Sequence, residues 1–314
     1  MRHNPASLPV LALVFNAFIW GVSWWPLRQL QLHGLHPLWA TALVYALVVA
    51  CIMLARPGVW RSLAAHPQLW LLAVASGMTN VGFNWAVTVG DVVRVVLLFY
   101  LMPAWSVLAA WAMLGEKPSA GSLLRLLLAM TGVLVVLKSP ASPWPVPQGW
   151  ADWLAIMGGL SFAITNVVLR KYRHTPSESR MMAMFGGSGL MAALAALLGM
   201  SQALVPAPAL AMAGIPVVLG LSLAFLASNA ALQYGAGRLA AATTAIVMLT
   251  EILFASVSSA AAGAAELSTR TLLGGSLIVL AAVLAAFAPS GDADDADDIN
   301  SSGPKASGPS KSPV

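Results

Sequence analysis

The amino-acid sequence predicts an all-α integral membrane protein, with ten transmembrane helices arranged as two inverted five-helix repeats. Three observations carry this. Apolar stretches long enough to cross a bilayer occur ten times. Hydrophobic residues are 59% of 314 and charged residues only 9%, against about 25% charged in soluble domains. Residues of the first half also recur in the second at a fixed spacing.

The predicted spans are Leu8–Leu27, Pro37–Ala55, Gln68–Val89, Val92–Leu114 and Ser119–Leu137, then Trp150–Leu169, Arg180–Met200, Met212–Tyr234, Leu239–Ala260 and Thr271–Ala288. The first is longer than a signal-peptide apolar region and lacks a small-residue cleavage site, so it reads as a retained helix. Trp39, Trp60, Trp70, Trp144, Trp150 and Trp153 lie near span ends, where tryptophan anchors to the interface. Cys51 is the single cysteine, which excludes an intramolecular disulfide.

Positive charge sets orientation. With loops assigned alternately, one side holds Arg2, Arg56, Arg61, Lys117, Arg125, Arg170, Lys171, Arg173, Arg180 and Arg238. The other holds Arg28, Arg94, Lys138 and Arg270. The richer side reads as cytoplasmic and carries both termini. The implied location is a bacterial-type inner membrane. The net charge of +5 combines a positive body with an acidic tail, and it is scattered over loops rather than gathered into a nucleic-acid footprint.

The repeat is visible in residues. Thr79-Asn80 and Phe83-Asn84-Trp85-Ala86 align with Ser228-Asn229 and Leu232-Gln233-Tyr234-Gly235, an offset of 229 − 80 = 149. Met102-Pro103 falls on Glu251-Ile252 at the same offset. Leu114-Gly115-Glu116 falls near Ala264-Ala265-Glu266, and Leu27-Arg28 meets Leu169-Arg170. Five spans are an odd number, so the second copy enters the membrane from the opposite side. The expected domains are residues 1–140 and 141–288, followed by a disordered acidic tail over 289–314. Inverted halves around a central cleft are a common plan for secondary transporters.

Tyr100-Leu101-Met102-Pro103, Leu114-Gly115-Glu116-Lys117 and the Thr131–Val135 run resemble an EamA-type module of the drug/metabolite transporter superfamily. Leu249-Thr250-Glu251-Ile252 and Leu273-Gly274-Gly275 resemble the same module, with Ile252 where the family usually has proline. The aromatic-rich first and third spans are most similar to the aromatic amino-acid exporters. The resemblance implies two halves that rock about a cleft lined by spans one, three, four, six, eight and nine. It implies export of small amphipathic metabolites, aromatic or bulky apolar amino acids first.

Polar side chains in hydrocarbon need a reason. Asn80 and Asn84 lie four apart on one helical face, as do Asn229 and Gln233. As repeat-related pairs they are candidates to face a shared axis and bind substrate, with interhelical bonding as the plainer reading. Trp20 and Trp24 are also four apart. Phe83, Tyr100 and Phe162 add rings, and Asn166 and Met248 complete the candidate substrate-binding set. An apolar aromatic pocket with a few directional amides is the usual design for a small-molecule site. Glu251 is the carboxylate well inside a span and the candidate for proton coupling, with a local structural hydrogen bond as the alternative. Pro103 removes a backbone bond in mid-span and is the candidate hinge. Asp91 and Arg94, three apart, read as an ion pair capping a turn.

No phosphate-binding loop is present, so neither an ATP motor nor an ATPase subunit is implied. No metal-ligand spacing and no catalytic constellation appear, and no cofactor is expected. The expected partners are a small-molecule substrate and the lipid bilayer, with no nucleic acid. A monomer suffices, and the oligomeric state is left open. The rival functions are transport of another metabolite or drug, a membrane-embedded enzyme and a non-transporting subunit.

Overall fold

The computed structural model describes residues 7–90, 92–138, 146–263 and 268–287. Asp91, Trp144, Glu266 and the acidic tail lie outside them. Within the described residues every regular element is helical: α1 (Ser7–Val22), α2 (Trp24–Leu32), α3 (Pro37–Ala55), α4 (Val59–Ala64), α5 (Leu69–Val89), α6 (Val92–Phe99), α7 (Met102–Leu114), α8 (Ala120–Leu137), α9 (Trp150–Lys171), α10 (Ser177–Ser201), a 3₁₀ turn at Met212–Gly214, α11 (Ile215–Ala236), α12 (Ala241–Met248), α13 (Glu251–Ala261) and α14 (Thr269–Ala286). Nine of these helices or consecutive pairs are long and apolar enough to cross a bilayer. The remaining long helix, α5, has 21 residues but carries Ser76, Thr79, Asn80 and Asn84. Large apolar side chains such as Leu8, Leu54, Leu127, Leu223 and Leu273 point outward. A soluble protein rarely shows such a surface; the chain is a multi-pass membrane protein.

Three spans are broken, each for a local reason. Pro26 cannot donate to Val22, and α1 gives way to α2 at Ser23, whose hydroxyl bonds the Trp20 carbonyl at 2.7 Å. Pro103 cannot donate to the Phe99 carbonyl. There α6 and α7 part across Tyr100-Leu101, and the bond from Ala104 N to Leu101 O is of the tighter 3₁₀ kind. The α12–α13 break at Leu249-Thr250 has no proline. Bonds from Leu249 to Ile246, Thr250 to Val247 and Ile252 to Leu249 tighten the turn, while the Thr250 hydroxyl takes the Val247 carbonyl at 2.8 Å.

Loosened carbonyls need cover in hydrocarbon. A Cβ on Gly159 of α9 would lie 2.5 Å from the Phe99 carbonyl, and a Cβ on Gly21 of α1 would lie 2.7 Å from that of Glu251. Glycine at these two positions lets a neighbouring backbone close over each break. A third close approach joins α8 to α14. A Cβ on Gly132 would meet the Gly274 carbonyl at 2.7 Å, and one on Gly274 would meet the Gly132 carbonyl at 2.6 Å.

The packing falls into matched sets. Helix α5 packs on α9 and α10, and α11 packs on α1 and α3. Helices α6 and α7 lie against α9, and α12 and α13 lie against α1. Helix α3 pairs with α10, and α8 with α14.

Gly159→Ala and Gly21→Ala are predicted to destabilise the fold by about 1–3 kcal/mol each, the usual cost of overpacking. Gly220→Ala, where an added Cβ meets nothing within 4 Å, serves as the control and should be neutral or slightly stabilising. Denaturant unfolding in detergent measures all three. Equal stabilities would show that the close contacts at the breaks do not matter.

Candidate functional site

The two interrupted spans meet in the interior. Tyr100, at the α6–α7 break, and Glu251, first residue after the α12–α13 break, are close enough to influence one another electrostatically. Tyr100 is 8% exposed and Glu251 half-buried. Ser256 and Thr250, expected neighbours of Glu251, instead bond the Ile252 and Val247 carbonyls. Rings gather beside Tyr100: Phe99 meets it edge-on at 5.9 Å, and Phe99 in turn meets Phe83 at 4.8 Å and Phe162 at 6.3 Å. Phe83 and Phe162 were expected in a site. Phe99 was not, because a phenylalanine in an unbroken apolar run carries no sequence signal.

A second aromatic group lies where α1, α3, α10 and α11 converge. Trp20 stacks on Phe225 at 4.7 Å, and Tyr45 meets Phe225 and Phe185 edge-on. The Tyr45 hydroxyl donates to Asn80 Oδ1 at 3.2 Å. Asn80 Nδ2 donates to the Ser76 carbonyl at 3.0 Å and to Ser188 Oγ at 3.1 Å. One turn on, Asn84 Nδ2 donates to Thr41 Oγ1 at 3.2 Å. Both asparagines stay half-buried. Trp24 turns elsewhere, its indole donating to Ser258 Oγ of α13 at 2.9 Å.

The other amide pair is sealed. Gln233 Nε2 donates to Asn229 Oδ1 at 2.8 Å, and Asn229 Nδ2 contacts Met184 Sδ at 3.4 Å. Arg180 Nε donates to Gln233 Oε1 at 3.0 Å, while its Nη1 donates to the carbonyls of Tyr172, Arg173 and Thr175 beyond the end of α9. All three polar residues are buried. The sequence marks Arg180 as one more loop cation. Its role rests on a turn between α9 and α10 that folds carbonyls back over it. Asn166 and Met248 are also fully buried, on α9 and α12.

Two ion pairs tie α9 to the broken α6–α7 span, one at each end. At one end Arg94 Nε meets Asp152 Oδ1 at 2.9 Å, and Asp152 Oδ2 accepts from the backbone N–H of Gln148 and Gly149, capping α9. A carboxylate suits a helix N-terminus. At the other end Gly115 closes α7 at φ 74°, a conformation that favours glycine, and so turns Glu116 back toward α9. Glu116 Oε1 meets Arg170 Nε at 2.6 Å, and Arg170 Nη1 donates to the Leu239 carbonyl at 2.7 Å. Arg94 reaches across to α9, and Asp91, its expected partner in the turn, lies outside the described residues. No cluster among the described residues has the makings of a metal site.

Residues 7–138 match the EamA-like transporter family. A solved crystal structure of another protein, 19% identical, superposes with a TM-score of 0.72 over 88% of this chain and 96% of its own. At that identity the likeness speaks to the fold alone. No curated protein matches the chain.

Arg170→Met should cost about 3 kcal/mol, since it leaves Glu116 unpaired at 15% side-chain exposure. The double replacement Glu116→Leu with Arg170→Met should recover most of that loss. A double-mutant cycle by denaturant unfolding measures the coupling. Additive losses would mean that the two charges do not act as a pair.

Proposed function

We propose that this protein is an alternating-access secondary transporter that exports aromatic or bulky apolar amino acids. The EamA family domain points to a transporter of the drug/metabolite type. The reading adds ten spans in two inverted halves, residues 1–140 and 141–288, with both termini in the cytoplasm of a bacterial-type inner membrane.

The observation that carries it is the exchange pattern of the helix packing. Swap each span with its repeat mate and the contacts map onto one another: α5 on α9 becomes α11 on α1, and α6–α7 on α9 becomes α12–α13 on α1. The contacts of α3 with α10 and α8 with α14 map onto themselves. The Gly132–Gly274 approach supports this, each glycine making the contact that the other makes. The two central breaks are repeat mates as well, and they meet at Tyr100 and Glu251.

A path between inverted halves then runs past Tyr100, Phe83, Phe162 and Trp20, with Asn80 and Asn84 on one wall. Rings of this kind suit an aromatic or greasy side chain, and half-buried amides suit its amino and carboxylate groups. Asn229, Gln233 and Met248 belong to the same path in the state that opens the other end. Pro103 serves as hinge, and Glu251 carries the coupled proton. Opening and closing stay within a few kcal/mol, so that substrate can shift the balance.

Flux of radiolabelled phenylalanine or tryptophan into liposomes holding the purified protein tests this directly. Saturable flux is expected. Asn84→Ala and Gln233→Ala should each lower it about tenfold, the worth of one lost hydrogen bond of about 1.4 kcal/mol. Flux of other solutes but not of aromatic amino acids would move the substrate to another metabolite or drug. No flux of any kind would end the transporter reading. Glu251→Gln should keep counterflow exchange but lose the response to an imposed pH gradient. A wild-type protein indifferent to that gradient would remove Glu251 from coupling.

A further inference from the structure

Buried polar atoms almost always find partners, and each exception needs an explanation. Three residues of α7, α9 and α12 supply four such exceptions. Asn166 is 0% exposed, yet neither atom of its amide has a hydrogen-bond partner. The Trp105 indole nitrogen and the Thr244 hydroxyl are likewise buried and unpartnered. The three helices pack on one another. Ala109, Val167 and Ala241, one turn or less from these residues along each helix, form a single contact cluster. That cluster sits toward the helix ends held by Glu116 and Arg170.

The repeat shows what is missing here. By the Arg28–Arg170 spacing, 170 − 28 = 142, Asn166 is the mate of Trp24. Trp24 is satisfied by Ser258 Oγ at 2.9 Å. The mate of Ser258, at 258 − 149, is Ala109, which has no hydroxyl to offer. One side of the dyad has a finished interhelical hydrogen bond; the other has polar groups without an internal partner. Asn and Trp at this junction have no use in packing that alanine and leucine would not serve better. They have a use if the junction opens.

We infer that Asn166, Thr244 and the Trp105 indole form a second, closed subsite that takes the carboxylate of the transported solute when the Glu116–Arg170 end parts. The inference rests on the transporter reading and names the group the substrate must carry. The set is rich in donors: an indole N–H, two amide N–H and a hydroxyl. Glu116, the carboxylate at this end, is held by Arg170. Phe162 lies four residues before Asn166 on the same face of α9, so a ring held among Phe83, Phe99 and Phe162 would direct its polar end here.

The test is thiol labelling of the full chain in membrane vesicles, after replacing the native cysteine by Cys51→Ser. A small charged methanethiosulfonate should label Asn166→Cys. L-phenylalanine and 3-phenylpropionate, at about ten times their dissociation constants, should slow labelling about tenfold by occupancy, while phenethylamine, lacking the carboxylate, should not. Ala163→Cys, equally buried on α9, should stay unreactive. Failure of Asn166→Cys to react would overturn the subsite and make the amide part of a permanent core. Labelling that phenethylamine slows as well as phenylpropionate would overturn the carboxylate assignment. Labelling slowed by phenylpropionate in a protein that carries no phenylalanine flux would sink the amino-acid reading while keeping the carboxylate subsite.

Discussion

A helix broken in hydrocarbon exposes carbonyls that no solvent will satisfy, and the rest of this structure follows from how that problem is met. The α6–α7 and α12–α13 spans are both broken at mid-depth. In each case a glycine on a neighbouring helix, Gly159 or Gly21, lets backbone close directly over the loosened turn. The neighbours are α9 and α1, the first spans of the two proposed repeats. Each break therefore fixes which helix must lie beside it. That adjacency brings Tyr100 close to Glu251, with Phe99 beside Tyr100 and Phe83 and Phe162 against Phe99.

Closure is uneven. The Glu116–Arg170 end is tightly packed, with Asn229, Gln233, Arg180, Asn166 and Met248 all buried. Asn80, Phe83, Asn84 and Trp85 remain half-buried. The two amide pairs, mates in the proposed repeat, thus have different surroundings: one bonds across helices to Tyr45, Ser188 and Thr41, the other is sealed under an arginine. In the proposed arrangement of inverted halves, this difference corresponds to a single state in which one mouth is shut and its mate is not.

Much of this was legible in the sequence. Long apolar runs and sparse charge define helices because lipid leaves the backbone no other choice, and the predicted spans fall within a few residues of the helices in the described residues, apart from α1–α2, which continues to Leu32. Pro103 announced its break. The break at Thr250 did not announce itself, because a threonine that captures a carbonyl looks like any other threonine. The rings most closely tied to the site, Tyr45, Phe99, Phe185 and Phe225, sit in plain apolar runs and gain meaning only from helices far away in the chain. Arg180 read as a topological charge, and only the fold turns it into the cap of α9 and the partner of Gln233.

The account depends most on the second half being inverted relative to the first. Membrane-impermeant thiol labelling of Gly34→Cys and Thr175→Cys, in the loops after the first and sixth spans, tests this most directly. The prediction is labelling from opposite faces, position 34 from outside and position 175 from the cytoplasm. Labelling of both from the same face would contradict the inversion, and with it the shared cleft.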